Sequence, residues 1–187
     1  MTTETQTQQP QSMDGLIQVV RETKELAKDL LNNYPAAHVI FALAAASNED
    51  LDLDLVSAIM GISKKRIKWH NLEWMMKKNK CIWVTKSGKI KYTPENCDSA
   101  LAIMLGGLMR KGAYMIDLTK KPPHVVYQQK QAASVLIREG IAMIGYRGRD
   151  AITIVPNPYF YNKIMQLLAS INYIKAYLDN MQSKLIS

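Results

Sequence analysis

Between residues 61 and 92 the chain carries ten Lys or Arg and a single acid, Glu73. Ser63, Lys64, Lys65, Arg66 and Lys68 open this stretch, Lys77, Lys78 and Lys80 continue it, and Lys86, Ser87, Lys89 and Lys91 close it. Cations with so little carboxylate between them suit a polyanion, because a solvated protein face normally mixes both signs. Lysines neutralise phosphates and release their counterions. Arg66 alone in this stretch has the planar fork that reads guanine bidentately, and an outward-facing Asn71 suits adenine. The flanking segments differ in charge. Residues 1–60 hold three basic and nine acidic groups, and residues 93–187 hold eleven and six. The segments therefore carry −6, +9 and +5, and the net +8 is concentrated in one short unit. That concentration is the electrostatic footprint of a nucleic-acid surface.

No other chemistry competes with this one. His38, His70 and His124 have no sequence partners that make a catalytic or metal-binding set, and Cys81 and Cys97 are not in CxxC spacing. Asp50, Asp52 and Asp54 alternate with leucines, but acids at a helix start are explained by the dipole and solvent. No nucleophile elbow, phosphate-binding loop or paired carboxylate is present. The expectation is a protein that is not an enzyme, with no catalytic residues, no metal and no cofactor. No apolar run reaches the ~18 residues of a membrane span. With no signal-peptide pattern at residue 1, the expected setting is cytoplasmic with reduced thiols. That argument weighs against a Cys81–Cys97 disulfide, which is otherwise geometrically conceivable.

The elements that must position the basic groups follow from periodicity. Residues 1–13 are Thr/Gln-rich and read as a disordered tail. Leu16, Val19, Val20, Thr23, Leu26, Ala27, Leu30 and Leu31 share one face of a first helix. Residues 36–47 are almost wholly apolar and predict a buried helix, with His38 as a partly buried polar tip near its start. Residues 51–60 predict another, capped from Asn48-Glu49-Asp50, with Leu55, Val56 and Ile59 inward. Gly61 supplies a sharp turn and Ser63 caps a basic helix. Residues 81–85 and 90–93 predict a hairpin with Lys86-Ser87-Gly88-Lys89 at its tip. Trp69, Trp74 and Trp83 are expected in the core.

From Gly61-Ile62-Ser63 through the basic helix to the hairpin, the chain resembles the winged helix-turn-helix superfamily of DNA-binding proteins over about residues 36–92. The resemblance implies a packing face of Leu55, Ala58 and Ile59 on the positioning helix. It also implies a recognition helix over residues 64–76, a link at residues 77–80 and a basic wing. The usual apolar spacing would start at Ile67 and turn Asn71 inward. A row of Trp69, Leu72 and Met76 buries better.

In the second half, residues 98–110 form an apolar helix in which Gly106-Gly107 marks a kink or close packing. A strand over 113–118, a helix over 125–139 and a hairpin with Arg147 and Arg149 at its tip follow. This is nearly a second winged helix with its positioning helix degraded, and the two arginines suit a second wing. The last helix carries Phe160, Ile164, Leu167, Ile171, Ile174, Leu178, Met181 and Leu185 at alternating steps of four and three, a heptad seam. The seam is expected to make a homodimer that reads a palindromic site, in preference to folding back on the first helix. The expected architecture is mainly α with small β-hairpins (α+β). It comprises a tail over 1–13, a winged-helix unit over 14–96, a second unit over 97–156 and a dimerisation helix over 157–187. The function expected first is a homodimeric transcriptional regulator on double-stranded DNA. The alternatives are a replication, partition or mobile-element protein that recruits others, and a tandem winged-helix structural subunit with a protein partner.

Overall fold

The computed structural model describes residues 13–69 and 81–186. It is mainly helical, with two small antiparallel sheets. Helix α1 (Met13–Asn33) buries Leu16, Thr23, Ala27 and Leu30, all on one stripe. Thr23 stays compatible with that stripe because its hydroxyl donates to the Val19 carbonyl at 2.6 Å. Pro35 precedes α2 (Ala36–Ala46), in which every residue from Val39 to Ala45 is at most 4% exposed. A helix apolar all round has to lie at the centre, and the other elements pack around it. His38, near its start, places Nδ1 2.5 Å from Glu139 Oε2, so its polar tip is satisfied by a residue 101 positions away.

The chain then makes a short strand β1 (Leu51–Asp52), helix α3 (Leu53–Met60), helix α4 (Lys64–Trp69), and strands β2 (Ile82–Val84) and β3 (Lys89–Tyr92). The helix expected over residues 51–60 therefore loses its first two residues to a strand, because Leu51 pairs with Ile90 and Asp52 with Lys89. The cap is Asp52, which accepts from the Leu55 N–H at 3.0 Å, and not one of residues 48–50. Gly61 ends α3 with φ +65°, the left-handed conformation the turn needs. Val56 and Ile59 are buried as expected, but Ala58 is exposed and belongs to no packing face.

After a 3-10 turn (Pro94–Asn96) come α5 (Ala100–Lys111), β4 (Tyr114–Asp117), α6 (Pro123–Arg138), β5 (Ala142–Arg147), β6 (Ala151–Pro156) and α7 (Pro158–Ile186). The two sheets have orders β1-β3-β2 and β4-β6-β5. In each, the first strand in the chain pairs with the last, which places it beside a hairpin formed after an intervening helical segment. Two helices intervene among the described residues of the first unit, and one in the second. One contiguous apolar core joins both units. Gly106 and Gly107 do not interrupt α5. They let the Tyr92 and Tyr114 rings lie on its backbone, and a Cβ on Gly106 would overlap the Tyr92 hydroxyl. Arg110 stacks over the same Tyr92 ring, 4.9 Å from its centroid, and donates to the Ala45 carbonyl at 2.6 Å.

The dimerisation seam is corrected. Phe160, Ile164, Leu167, Ile171 and Ile174 are all at most 2% exposed within the single chain, where α7 folds back along α1 and α2. Tyr159 and Lys163 at its start both bond Asp29 near the end of α1, so the two helices run antiparallel. Only the last turns escape: Leu178 is 43% and Leu185 84% exposed, with Met181 half-buried. A seam satisfied within its own chain has no apolar area left there for a partner.

Cys81 and Cys97 are disulfide-bonded, contrary to the expectation of reduced thiols. The hairpin returns the chain to its own base, where the Thr93 N–H donates to the Cys81 carbonyl at 2.7 Å, and this brings the cysteines together. Their spacing of 16 residues closes a loop around the whole hairpin. By loop-closure entropy that cross-link stabilises by about 3 kcal/mol. Cys97→Ser is expected to lower the urea midpoint, and reductant is expected to do the same to the unmodified chain. A midpoint indifferent to both treatments would count against a bonded pair. The bonded pair also removes the cysteine argument for a reducing compartment. Among the described residues no helix is long and apolar enough to cross a membrane.

Candidate nucleic-acid interface

Helix α4 is held by one residue and presents the others. Ile67 is fully buried, whereas Lys64, Lys65 and Arg66 are exposed and Lys68 is half-exposed. Ile67 is therefore an inward residue of this helix; the side chain of Trp69, and Leu72 and Met76 with it, lie outside the described residues. Ser63 caps it by accepting from the Arg66 N–H at 3.1 Å. The hairpin tip is equally defined. The Thr85 N–H donates to the Lys89 carbonyl at 2.8 Å, Gly88 takes φ +80°, and the Thr85 and Ser87 hydroxyls lie 2.9 Å apart. Lys86 and Ser87 project to solvent from this turn. Asn71, Lys77, Lys78 and Lys80 lie outside the described residues, as does Trp74.

The acids that precede the turn are part of this surface, which the linear charge tally hides. Asp54 Oδ1 lies 2.7 Å from Lys64 Nζ, Asp52 Oδ2 3.4 Å from Lys89 Nζ, and Asp50 Oδ2 3.4 Å from Lys91 Nζ. Asp52 also lies 3.8 Å from Lys175 of α7. Pairing of β1 with β3 brings Asp52 and the preceding Asp50 beside Lys89 and Lys91, and Asp54 at the start of α3 reaches Lys64 on α4, so three of the expected phosphate contacts are already matched. Among the described residues, Lys65, Arg66, Lys68 and Lys86 have no carboxylate partner. The side-chain hydrogen bond from Lys64 to Asp54 raises the lysine above its ordinary pKa.

Burial pushes the Asp52 carboxyl up, but the Leu55 N–H, Lys89 and Lys175 outweigh it and hold the group below the usual carboxylate range. Asp29 and Asp117 are lowered too, Asp29 first by its bond to Lys163 and Asp117 first by the Lys120 N–H. For groups depressed in the fold, the stabilisation is fully present above the unfolded value of about 3.9 and is lost as pH falls through the lower folded value. Stability is therefore expected to hold at neutral pH and to fall below about pH 4. Asp52→Asn is expected to flatten part of that acid limb in urea titrations at successive pH values. An acid limb identical in the variant would remove Asp52 from this role.

Trp83 corrects the expectation that the tryptophans are core. It is 44% exposed, its indole N–H donates to Thr93 Oγ1 at 3.2 Å, and Lys91 Nζ sits 5.7 Å from its ring centroid. The signal was strand alternation, since Ile82 on its amino-terminal side is buried and the next residue must face outward. Arg147 and Arg149 are both exposed, Arg147 at the end of β5 and Arg149 in the turn after it. Asp150 shares that turn, so this tip is less basic than the first. Among the described residues no cluster of three or more His, Cys, Asp or Glu is placed to hold a metal. Searches against family models, characterised proteins and solved structures find no match to this chain.

Proposed function

We propose that the chain binds double-stranded DNA through α4 and the β2–β3 tip, with transcriptional regulation as the simplest task. The observation that carries this reading is the division of α4. Ile67 anchors it in the core while Lys65, Arg66 and Lys68 stand outward with no acid matched to them among the described residues. Support also comes from chain order. Helix, Gly61 turn, basic helix and hairpin follow one another in the order that the resemblance to a winged helix-turn-helix implies. The second unit repeats the strand order with one helix in place of two, which supports a degenerate copy with Arg147 and Arg149 at its tip. Recruitment of other proteins at an origin or mobile element remains the second reading, with that unit as the recruiting surface.

The experiment is duplex affinity as a function of salt, with molar mass determined in the same buffer. Micromolar or tighter binding to unrelated duplex, falling steeply with salt, is expected of a phosphate-contacting surface. No binding at low salt would return the basic face to a solvated or protein-facing role.

A further inference from the structure

Between α6 and the inner face of the β4-β6-β5 sheet lies an open cavity of about 340 Å³. Its volume lies within the range of small-molecule sites. The walls are mostly isoleucine, and Ile137 and Ile144, which both line the concavity, remain 36% and 39% exposed. Two cations also line it, Lys130 and Arg147, and neither has a carboxylate partner among the described residues. Ser134, one helical turn from Lys130, adds a hydroxyl.

The placement of Arg147 depends on a built irregularity. Ile144 and Arg147 are three residues apart, so on a regular strand they would face opposite sides. A β-bulge between Ile144 and Tyr146 shifts the register, so that Ile144 pairs with Ile154 and Arg147 with Ile152. Ile152 and Ile154 are two apart and share a face, and both line the cavity. Gly145 permits this bend, because a Cβ there would lie 2.8 Å from Val155 Cγ1. Bulges re-aim side chains in this way beside functional sites.

The same geometry separates the charged and apolar ends. The chain reverses tightly after α6, with the Ile141 N–H donating to the Leu136 carbonyl at 2.9 Å, and β5 runs back along the helix. Lys130 is about 10 Å along the helix from Ile137, and Arg147 about 10 Å along the strand from Ile144. The cations therefore share one end of the groove and the two exposed isoleucines the other.

We propose that this groove binds a small amphipathic carboxylate, its head between Lys130 and Arg147 and its alkyl tail over Ile137 and Ile144. Arg147 also stands in the second basic tip, so a ligand held there withdraws one cation from the proposed DNA face. Only this consequence rests on the DNA reading; the binding itself does not.

The test is calorimetric titration of the full chain with decanoate, without DNA. Saturable binding below about 1 mM is expected. It should weaken roughly tenfold or more in the Lys130→Ala/Arg147→Ala variant and for decanol, the uncharged twin. Removing two exposed cations elsewhere, by Lys120→Ala/Lys121→Ala, should leave the affinity unchanged. No saturable binding, equal affinity for decanol, or equal loss in both double variants would each overturn the proposal.

Discussion

Phe160→Ala is expected to lower the unfolding free energy by about 4 kcal/mol, the range for a fully buried aromatic truncated to alanine, and to leave the molar mass in solution unchanged. Phe160 is 0% exposed and meets the Tyr34 ring edge-on at 4.7 Å between centroids. It sits at the start of α7, where Tyr159 and Lys163 tie that helix to Asp29. The side chain therefore closes the junction between the two longest helices of the described chain. Collapse around the cavity is restrained from both sides by these bonds. Urea unfolding with mass measurement of the native protein separates the two roles. A lowered midpoint at constant mass is the result of a seam used within one chain. A halved mass with the midpoint unmoved would mean the seam joins two chains, and the packing of α7 against α1 would be wrong.

Replacing Lys65, Arg66 and Lys68 together by alanine is expected to weaken duplex binding by on the order of 10²–10³-fold at moderate salt. Each phosphate contact contributes about 0.9 to the salt slope, so the slope should become shallower by about 2.7. Stability should change little, because these side chains make no ion pair among the described residues and only Lys68 is half-covered. Lys64→Ala, by contrast, is expected to cost less than Lys65→Ala, since Asp54 already matches Lys64 at 2.7 Å. The comparison is internal to one helix and does not depend on knowing the site. An unchanged slope in the triple variant would detach α4 from the phosphates, and an equal effect of Lys64 and Lys65 would mean the Asp54 pair opens at no cost on binding.

Much of the local structure was legible because it rests on short-range rules. The all-apolar run of α2 could only be an interior helix. Gly61 and Ser63 marked a turn and a cap through backbone conformation and a hydroxyl acceptor, both settled within four residues. The hairpins followed from alternation and from Gly88 in a tight turn. The candidate interface was legible only in part. Ser63, Lys65, Arg66, Lys68, Lys86 and Ser87 stand where helix and hairpin phase put them. Lys64, Lys89 and Lys91 do not stand free, because their partners Asp54, Asp52 and Asp50 come from the start of α3, from β1 and from the residue before it, and a two-residue strand has too little sequence to announce itself.

The sequence by itself determined the order of most helices and of both hairpins, that α4 is basic on one side, and that α7 carries a continuous apolar seam. It did not determine what the seam meets, since an apolar stripe is equally satisfied by its own chain or by another. Tertiary structure decided that in favour of α1 and α2, joined Cys81 to Cys97 across the base of the hairpin, and turned Arg147 into the groove through a bulge at Gly145. Each of these depends on residues far apart in the chain, or on a register shift of one residue. Burial and charge pairing act through space, and composition and periodicity record only what lies along the chain.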